Sequence, residues 1–461
     1  MSNGNSAQKV AAHLLSVIEA GSPGQRLPSA RDLMRQLQVG PGTVQQALDQ
    51  LVAAGRIETR PGAGSFIASG SRHVSSDTAW QDVALGPCRV DAGALTVTLE
   101  GDVPGALQMG AGYLDEALRA DGRLAQAMAR AARRPGVWGC PPLRGIAELR
   151  TWFAGQLGAD ADDVLVTPAG QGALSAVIRA IVPAGESLLV ATPGYPGALS
   201  IARSASIVPV AVPTDEYGVR PELAERAFVQ SGARAMYLQP SFANPDGSVL
   251  AAERRTELLE LAHRLGVILI EDDYARWLGH GDGVPAPLLT EDRHGHVVTI
   301  VSLSKIAAPS LRVGAVLARG PVAGRIAELR QVDDFYVSAP MQHAAAELVS
   351  APSWKTHLRQ VAGALATRRS ALAAALHDAL PAGCAFTVPN GGFSFWLRLP
   401  AGVDDRDVTR EAALRKLFVV PGRNYVLTPG ERDHLRLTFA SLPEHQAPVA
   451  ATRLAEAITA A

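Results

Sequence analysis

Short apolar runs separated by stretches of helical period constrain this chain more than any other feature. The runs at 187–191, 235–238, 267–270, 297–303 and 313–317 are four to seven residues long, too short for stable helices and apolar on consecutive positions. A strand facing solvent on one side alternates apolar with polar, so runs like these belong to strands covered on both faces. Between them lie segments such as 172–182 and 252–265, where Leu258, Leu261, Ala262 and Leu265 recur at helical spacing. Strands and helices in alternation predict a large α/β domain around a mainly parallel sheet.

The first 68 residues read differently. Val10, Leu14, Val17 and Ile18 recur at helical spacing over 7–20, and Gly21 ends the helix. Ser29 and Asp32 form a capping pair before Leu33, Met34 and Leu37 on a second helix. Gly40-Pro41-Gly42 breaks the chain, and Thr43 opens a third helix. It carries Val44, Ala47, Leu48, Leu51 and Val52 inward and Thr43, Gln45, Gln46, Asp49 and Gln50 outward. Residues 57–67, with Pro61-Gly62-Ala63-Gly64 at the middle, predict a hairpin of two short strands. The expected organisation is a small α+β domain over 1–68, a linker over 69–103 without sustained period, and the α/β domain over 104–461.

Composition narrows the function. Lys and Arg total 43 against 44 Asp and Glu, a formal net charge of -1, so no global positive field exists to hold nucleic acid and only a local basic face could do so. Cys88, Cys140 and Cys384 are isolated and odd in number, which supports neither a disulfide framework nor a thiolate metal site, and no metal ligand set is expected. The first residues lack the order of a signal peptide and no apolar run approaches a membrane span, so a cytoplasmic location and no membrane partner are expected. Only four lysines occur, Lys9, Lys305, Lys355 and Lys416. Lys305 follows an apolar strand, where a desolvated amine loses its proton readily and can condense with an aldehyde.

The segments around Leu27-Pro28-Ser29-Ala30-Arg31, Thr43-Val44-Gln45-Gln46 and the glycine hairpin resemble, in order and spacing, the winged helix-turn-helix of GntR-type repressors. That resemblance implies a double-stranded DNA operator as partner, with the third helix in the major groove, where Gln45 and Gln46 offer paired donor and acceptor atoms suited to adenine, and Thr43 beside them. Arg31 would reach phosphate or a base edge, and Arg60 with the wing would approach the backbone. Six basic residues face four acidic ones between 7 and 68, a mild attraction that calls for dimeric binding. Gly40-Pro41 stands where the family usually has Ser or Thr followed by Arg, which removes one contact.

Asn244 in Asn244-Pro245-Asp246-Gly247, Asp272 after an apolar run, Lys305, and Arg312 seven residues beyond it resemble fold-type I, pyridoxal phosphate-dependent enzymes of the aminotransferase group over about 105–461. By that resemblance Lys305 is the lysine joined to the cofactor aldehyde and Asp272 the carboxylate that keeps the pyridine nitrogen protonated. Asn244 and Tyr274 would hold the phenolic oxygen and Tyr195 would stack on the ring. Gly170 and Gln171 open a helix whose N-H groups suit a phosphate, completed by Ser302 and Arg312. Arg436, in an alternating strand, matches the arginine that takes a substrate carboxylate. Two departures stand out: Ala169-Gly170-Gln171 lacks the hydroxyl of the family's Gly-Ser-Gln turn, and Trp138 replaces the tyrosine that reaches the phosphate from a neighbouring subunit.

The fusion of the two parts is similar to MocR-type transcriptional regulators. It implies a homodimer that binds DNA and responds to pyridoxal phosphate or an amino compound as effector. The alternative it leaves open is a working aminotransferase with a degenerate DNA-binding module.

Overall fold

The computed structural model describes residues 3–60, 63–68, 78, 80–85, 93, 95–96, 105–281, 283–427 and 432–461. Pro61 and Gly62 of the expected wing turn, most of the 69–103 linker, and Cys88 lie outside the described residues. The chain divides into two compact units, Met1–Cys88 and Arg89–Ala461.

In the first unit α1 (Asn3–Ala20) packs on α3 (Pro41–Ala53), with α2 (Ala30–Leu37) against α3. Ser29 caps α2 by accepting from the Asp32 N-H at 3.2 Å. Gly40 caps α3 without a side-chain hydrogen bond, and Pro41 occupies the first turn, where its missing N-H costs nothing. The hairpin pairs β1 (Ile57–Arg60) with β2 (Gly64–Ile67), setting Ile57 opposite Ile67. Val10, Leu14, Leu33, Val44, Leu48, Leu51 and Ile57 close one core. Val52 departs from expectation: it is 40% exposed, because one further step around α3 carries it past the buried stripe of Val44, Ala47, Leu48 and Leu51.

The second unit opens on β3 (Leu107–Gln108) and is built on an eight-stranded sheet. Its strands are β4 (Val164–Thr167), β5 (Ser187–Thr192), β6 (Val208–Asp215), β7 (Gly218–Val219), β8 (Ala235–Leu238), β9 (Ile268–Asp272), β10 (Val297–Ser302) and β11 (Gly314–Leu317), in the order β4-β11-β10-β9-β8-β5-β6-β7. From β10 to β6 every pairing is parallel, while β11 runs antiparallel between β10 and β4. The consecutive apolar residues divide between two cores: Leu188, Val190 and Ile270 pack on one face, Leu189, Ala191 and Leu269 on the other. Helices cover both faces, which is why the sequence shows no polar alternation in these strands.

A smaller sheet follows, formed by β12 (Ala385–Phe386), β13 (Ser394–Arg398), β15 (Val420–Pro421) and β16 (His434–Thr438) in the order β12-β13-β16-β15. The remaining strand, β14 (Leu417–Phe418), lies between β13 and β15 in the chain and pairs with β3. Among the described residues no helix is long and apolar enough to cross a membrane.

Candidate cofactor and ligand site

The carboxyl ends of β5, β8, β9 and β10 open into a cavity of about 330 Å³, the usual place for a ligand in an open α/β sheet. Register decides which side chains reach it. Leu238 pairs with Glu271 across β8 and β9, so the next residues, Gln239 and Asp272, emerge side by side on one face. Asp272 is buried, and its Oδ2 accepts from Tyr237 Oη and Gln239 Nε2, each at 2.8 Å. Both donors fall on one oxygen, leaving Oδ1 for a further donor. Burial raises the Asp272 pKa above the usual carboxylate value, against the pull of those two donors and of Lys305. Glu271, one residue earlier, faces the other way and is taken by Thr299 Oγ1 at 2.6 Å and the Leu288 N-H at 2.9 Å.

Lys305 stands just past the end of β10. Its Nζ donates to Gly112 O at 2.7 Å and lies 3.9 Å from the centre of the Tyr113 ring. Burial first, and then the Arg436 cation, bring its amine down to about 7, with Asp272 opposing and Arg312 adding to the fall. A lysine in this setting holds a large fraction of neutral, nucleophilic amine near neutral pH.

An anion cradle lies alongside. Thr167 is opposite Gly314 on β11, and Gly314 is opposite Ser302 on β10, so the three stand in one row. The chain turns after Thr167 through Ala169, whose φ of 63° is left-handed, into the helix Ala169–Ile181. No side chain caps that helix, so the N-H groups of its first turn face a ligand position uncapped. Gly314 makes the turn possible: a Cβ there would come 2.5 Å from Val301 O and 3.1 Å from Ala169 Cα. Arg312, also left-handed at φ 50°, places Nη2 3.4 Å from Pro168 O. Ser302 Oγ accepts from the Ser304 N-H at 3.2 Å, and the buried Ser304 Oγ has no partner.

The remaining expected residues line the same cavity with different local geometry. Tyr195 donates to Gln171 Oε1 at 2.9 Å, and burial raises its pKa, which keeps it protonated. Asn244 is held through its N-H by Gln239 Oε1 at 3.0 Å, while its buried Oδ1 has no partner. Tyr274 spends its proton on Phe242 O at 2.8 Å, so it offers the cavity an oxygen lone pair. Arg436 is 3% exposed in the middle of β16; Nη1 donates to Gly110 O at 3.2 Å, Nε has no partner, and no carboxylate lies within 4 Å among the described residues. Trp138 lies outside this cavity, 77% exposed, with its indole N-H on Ala132 O at 3.2 Å.

These features fit pyridoxal phosphate. Asp272 keeps one oxygen for a protonated ring nitrogen, the Asn244 side-chain amide lines the cavity, where its NH2 can donate to the phenolic oxygen, and the uncapped helix with Ser302, Ser304 and Arg312 suits a phosphate. Tyr237, Gln239 and Ser304 were not apparent from the sequence. For Tyr237 and Gln239 the signal is the strand register, which brings β8 and β9 into step.

In the first unit Arg31, Gln45, Gln46 and Arg60 are exposed and Thr43 is half-buried. Gln45 Nε2 donates to Asp49 Oδ1 at 2.8 Å, and the Arg60 guanidinium sits 4.6 Å from the centre of the Phe66 ring on the neighbouring strand. The polar face of α3 is thus open, and Arg60 is braced against the hairpin.

Residues 107–454 match the family described as aminotransferase class I and II, and residues 6–67 match the bacterial regulatory proteins of the gntR family. The chain is 24% identical over 433 residues to the HTH-type transcriptional regulator YdfD of Bacillus subtilis, covering 92% of this chain and 90% of the relative. It is 27% identical over 430 residues to the HTH-type transcriptional regulator YdcR of Escherichia coli, covering 91% of each. Among solved structures, LysN, the alpha-aminoadipate aminotransferase of Thermus thermophilus complexed with N-(5'-phosphopyridoxyl)-L-leucine, matches with a TM-score of 0.76 and 27% identity over 80% of this chain and 95% of that one. The chain therefore belongs to the aminotransferase class I and II family and, with a GntR-family domain at its head, is a transcriptional regulator of the MocR type.

Proposed function

We propose that this protein is a homodimeric, DNA-binding regulator that carries pyridoxal phosphate in its large domain and responds to an amino compound bound there. The observation that carries the reading is one cavity holding a lysine with a lowered pKa, an acid with a spare oxygen, an uncapped helix start and a buried arginine without a counter-ion, in the same chain as a helix-turn-helix head. When bound, the cofactor supplies an aldehyde and a protonated ring that draws electrons from an attached amino carbon.

The chain's own groups do the rest. Lys305 offers neutral amine to the aldehyde. Asp272, oriented by Tyr237 and Gln239, holds the proton on the ring nitrogen. Asn244 donates to the phenolic oxygen, and Tyr195, braced by Gln171, covers one ring face. Gly170, Gln171, Ser302 and Arg312 hold the phosphate. Arg436 is desolvated without a counter-ion and with its Nε unsatisfied, a costly arrangement that a ligand carboxylate relieves.

On the DNA side, Gln45 and Gln46 read base edges from α3 while Arg31 and Arg60 hold phosphates. A dimer presents two such heads to two half-sites, and an amino compound in the large domain changes the separation at which they fit. This reading also places the protein in the cytoplasm.

The rival reading, a working aminotransferase, is favoured by the presence of Lys305, Asp272 and Arg436 in one cavity. Its other support, Gly40-Pro41, weakens because Pro41 begins α3 in a normal first turn, so the helix survives and only one contact is lost. A footprint of the full chain on DNA fragments selected in vitro distinguishes the two. It is run with and without pyridoxal phosphate, with the common amino acids, and on Lys305→Ala. Protection that changes in extent or affinity with those additions is expected. Multiple turnover with amino donor and keto acceptor, in a protein that ignores DNA, refutes the regulator.

A further inference from the structure

Among the described residues four charged side chains line the cavity: Asp272, Lys305, Arg312 and Arg436. The assignments above use all of them. Asp272 faces the ring nitrogen, Arg312 the phosphate, Lys305 the aldehyde and Arg436 one carboxylate. Among the described residues none remains for the far end of a ligand.

The wall near Lys305 and Arg436 is apolar and aromatic. The segment 110–113 joins the two cations, because Gly110 O accepts from Arg436 and Gly112 O from Lys305. The next residue, Tyr113, lays its ring against the Lys305 amine. Phe393, 2% exposed, is tied to the strand end beyond Arg436, where its carbonyl accepts from the Phe439 N-H at 2.9 Å and from Thr438 Oγ1 at 3.0 Å. Leu95, half-buried and within the second unit, also lines the cavity.

We infer that the amino compound is an α-amino monocarboxylate with an uncharged apolar or aromatic side chain. The inference rests on the proposed reading and specifies its ligand. A second carboxylate, or a side-chain ammonium, placed among Leu95, Tyr113 and Phe393 loses its hydration and finds no opposite charge in return. An apolar side chain loses nothing there and gains by leaving water. The α-carboxylate is equally required, since without it Arg436 stays buried without a counter-ion. Discrimination has a different origin at each end of the ligand: desolvation without compensation at the side chain, and an unanswered cation at the carboxylate.

The test uses the full chain loaded with pyridoxal phosphate. Its visible absorbance is titrated with L-leucine, L-phenylalanine, L-glutamate, L-lysine and 3-methylbutan-1-amine, which is leucine without its carboxylate. Leucine or phenylalanine is expected to half-saturate the change at a concentration at least about tenfold below the other three. Leu95→Arg, which adds a cation to the apolar wall, is expected to move the glutamate-to-leucine preference toward glutamate by about tenfold or more. Glutamate, lysine or the amine acting as well as leucine overturns the inference and leaves amino-compound sensing standing, as does an unchanged preference in Leu95→Arg. If the protein binds the cofactor and protects DNA, yet none of the five compounds alters absorbance or footprint, the sensing reading itself falls and the inference with it.

Discussion

The amine of Lys305 offers the sharpest prediction, since its reactivity toward an aldehyde follows from how its proton is held. An ordinary lysine at 10.5 has about 0.03% neutral amine at pH 7, whereas one at about 7 has about half, roughly a 1,500-fold difference in nucleophile. The rate at which apoprotein captures pyridoxal phosphate, followed by stopped-flow absorbance, should rise about tenfold per pH unit below 7 and level off above it. Arg436→Met removes a positive neighbour that disfavours the ammonium, so the inflection should move to higher pH. It should remain below 10.5, because burial, the larger cause, is unchanged. An inflection near 10 in the unaltered protein, or a downward move in Arg436→Met, would refute the reasoning that links desolvation of Lys305 to its chemistry.

Other expectations follow from packing and charge. Gly314→Ala puts a methyl 2.5 Å from Val301 O, so it should cost about 1–3 kcal/mol in denaturant unfolding and weaken cofactor binding more than a surface change does. Leu51→Ala should destabilise the head by about 2–5 kcal/mol and abolish DNA binding while the visible spectrum of the large domain persists; Val52→Ala should change stability by about 0.5 kcal/mol or less. Burial raises Asp246 to about 6 from 3.8, so its stabilising contribution is complete below 3.8 and is lost as pH rises through 6. Asp246→Asn, which still accepts from Ser248, should therefore raise the melting temperature at pH 8 by about 2 °C more than at pH 4. Gln46→Ala should cost about 1–3 kcal/mol at one base position in a binding-site selection, whereas Arg31→Ala should weaken all sites alike and reduce the salt slope by about one.

Much of this protein is determined by local sequence alone. Consecutive apolar residues in runs of four to seven announce strands covered on both faces, and Ser29 with Asp32 marks the start of α2, because burial and capping act on neighbours in the chain. Lys305, Asp272, Asn244 and Arg312 likewise resemble, in type and spacing, the set of fold-type I enzymes without any coordinates. Distances between remote segments decided the rest. Tyr237 and Gln239 support Asp272 only because β8 and β9 align Leu238 with Glu271, a pairing of residues 33 apart that no local period encodes. Tyr274 is turned toward Phe242, and Arg436 is left without a counter-ion, through the way strands and loops from different parts of the chain close around one cavity. Secondary structure follows short-range sterics and hydrophobic period. A binding site depends on register and burial, which exist only once the sheet has assembled.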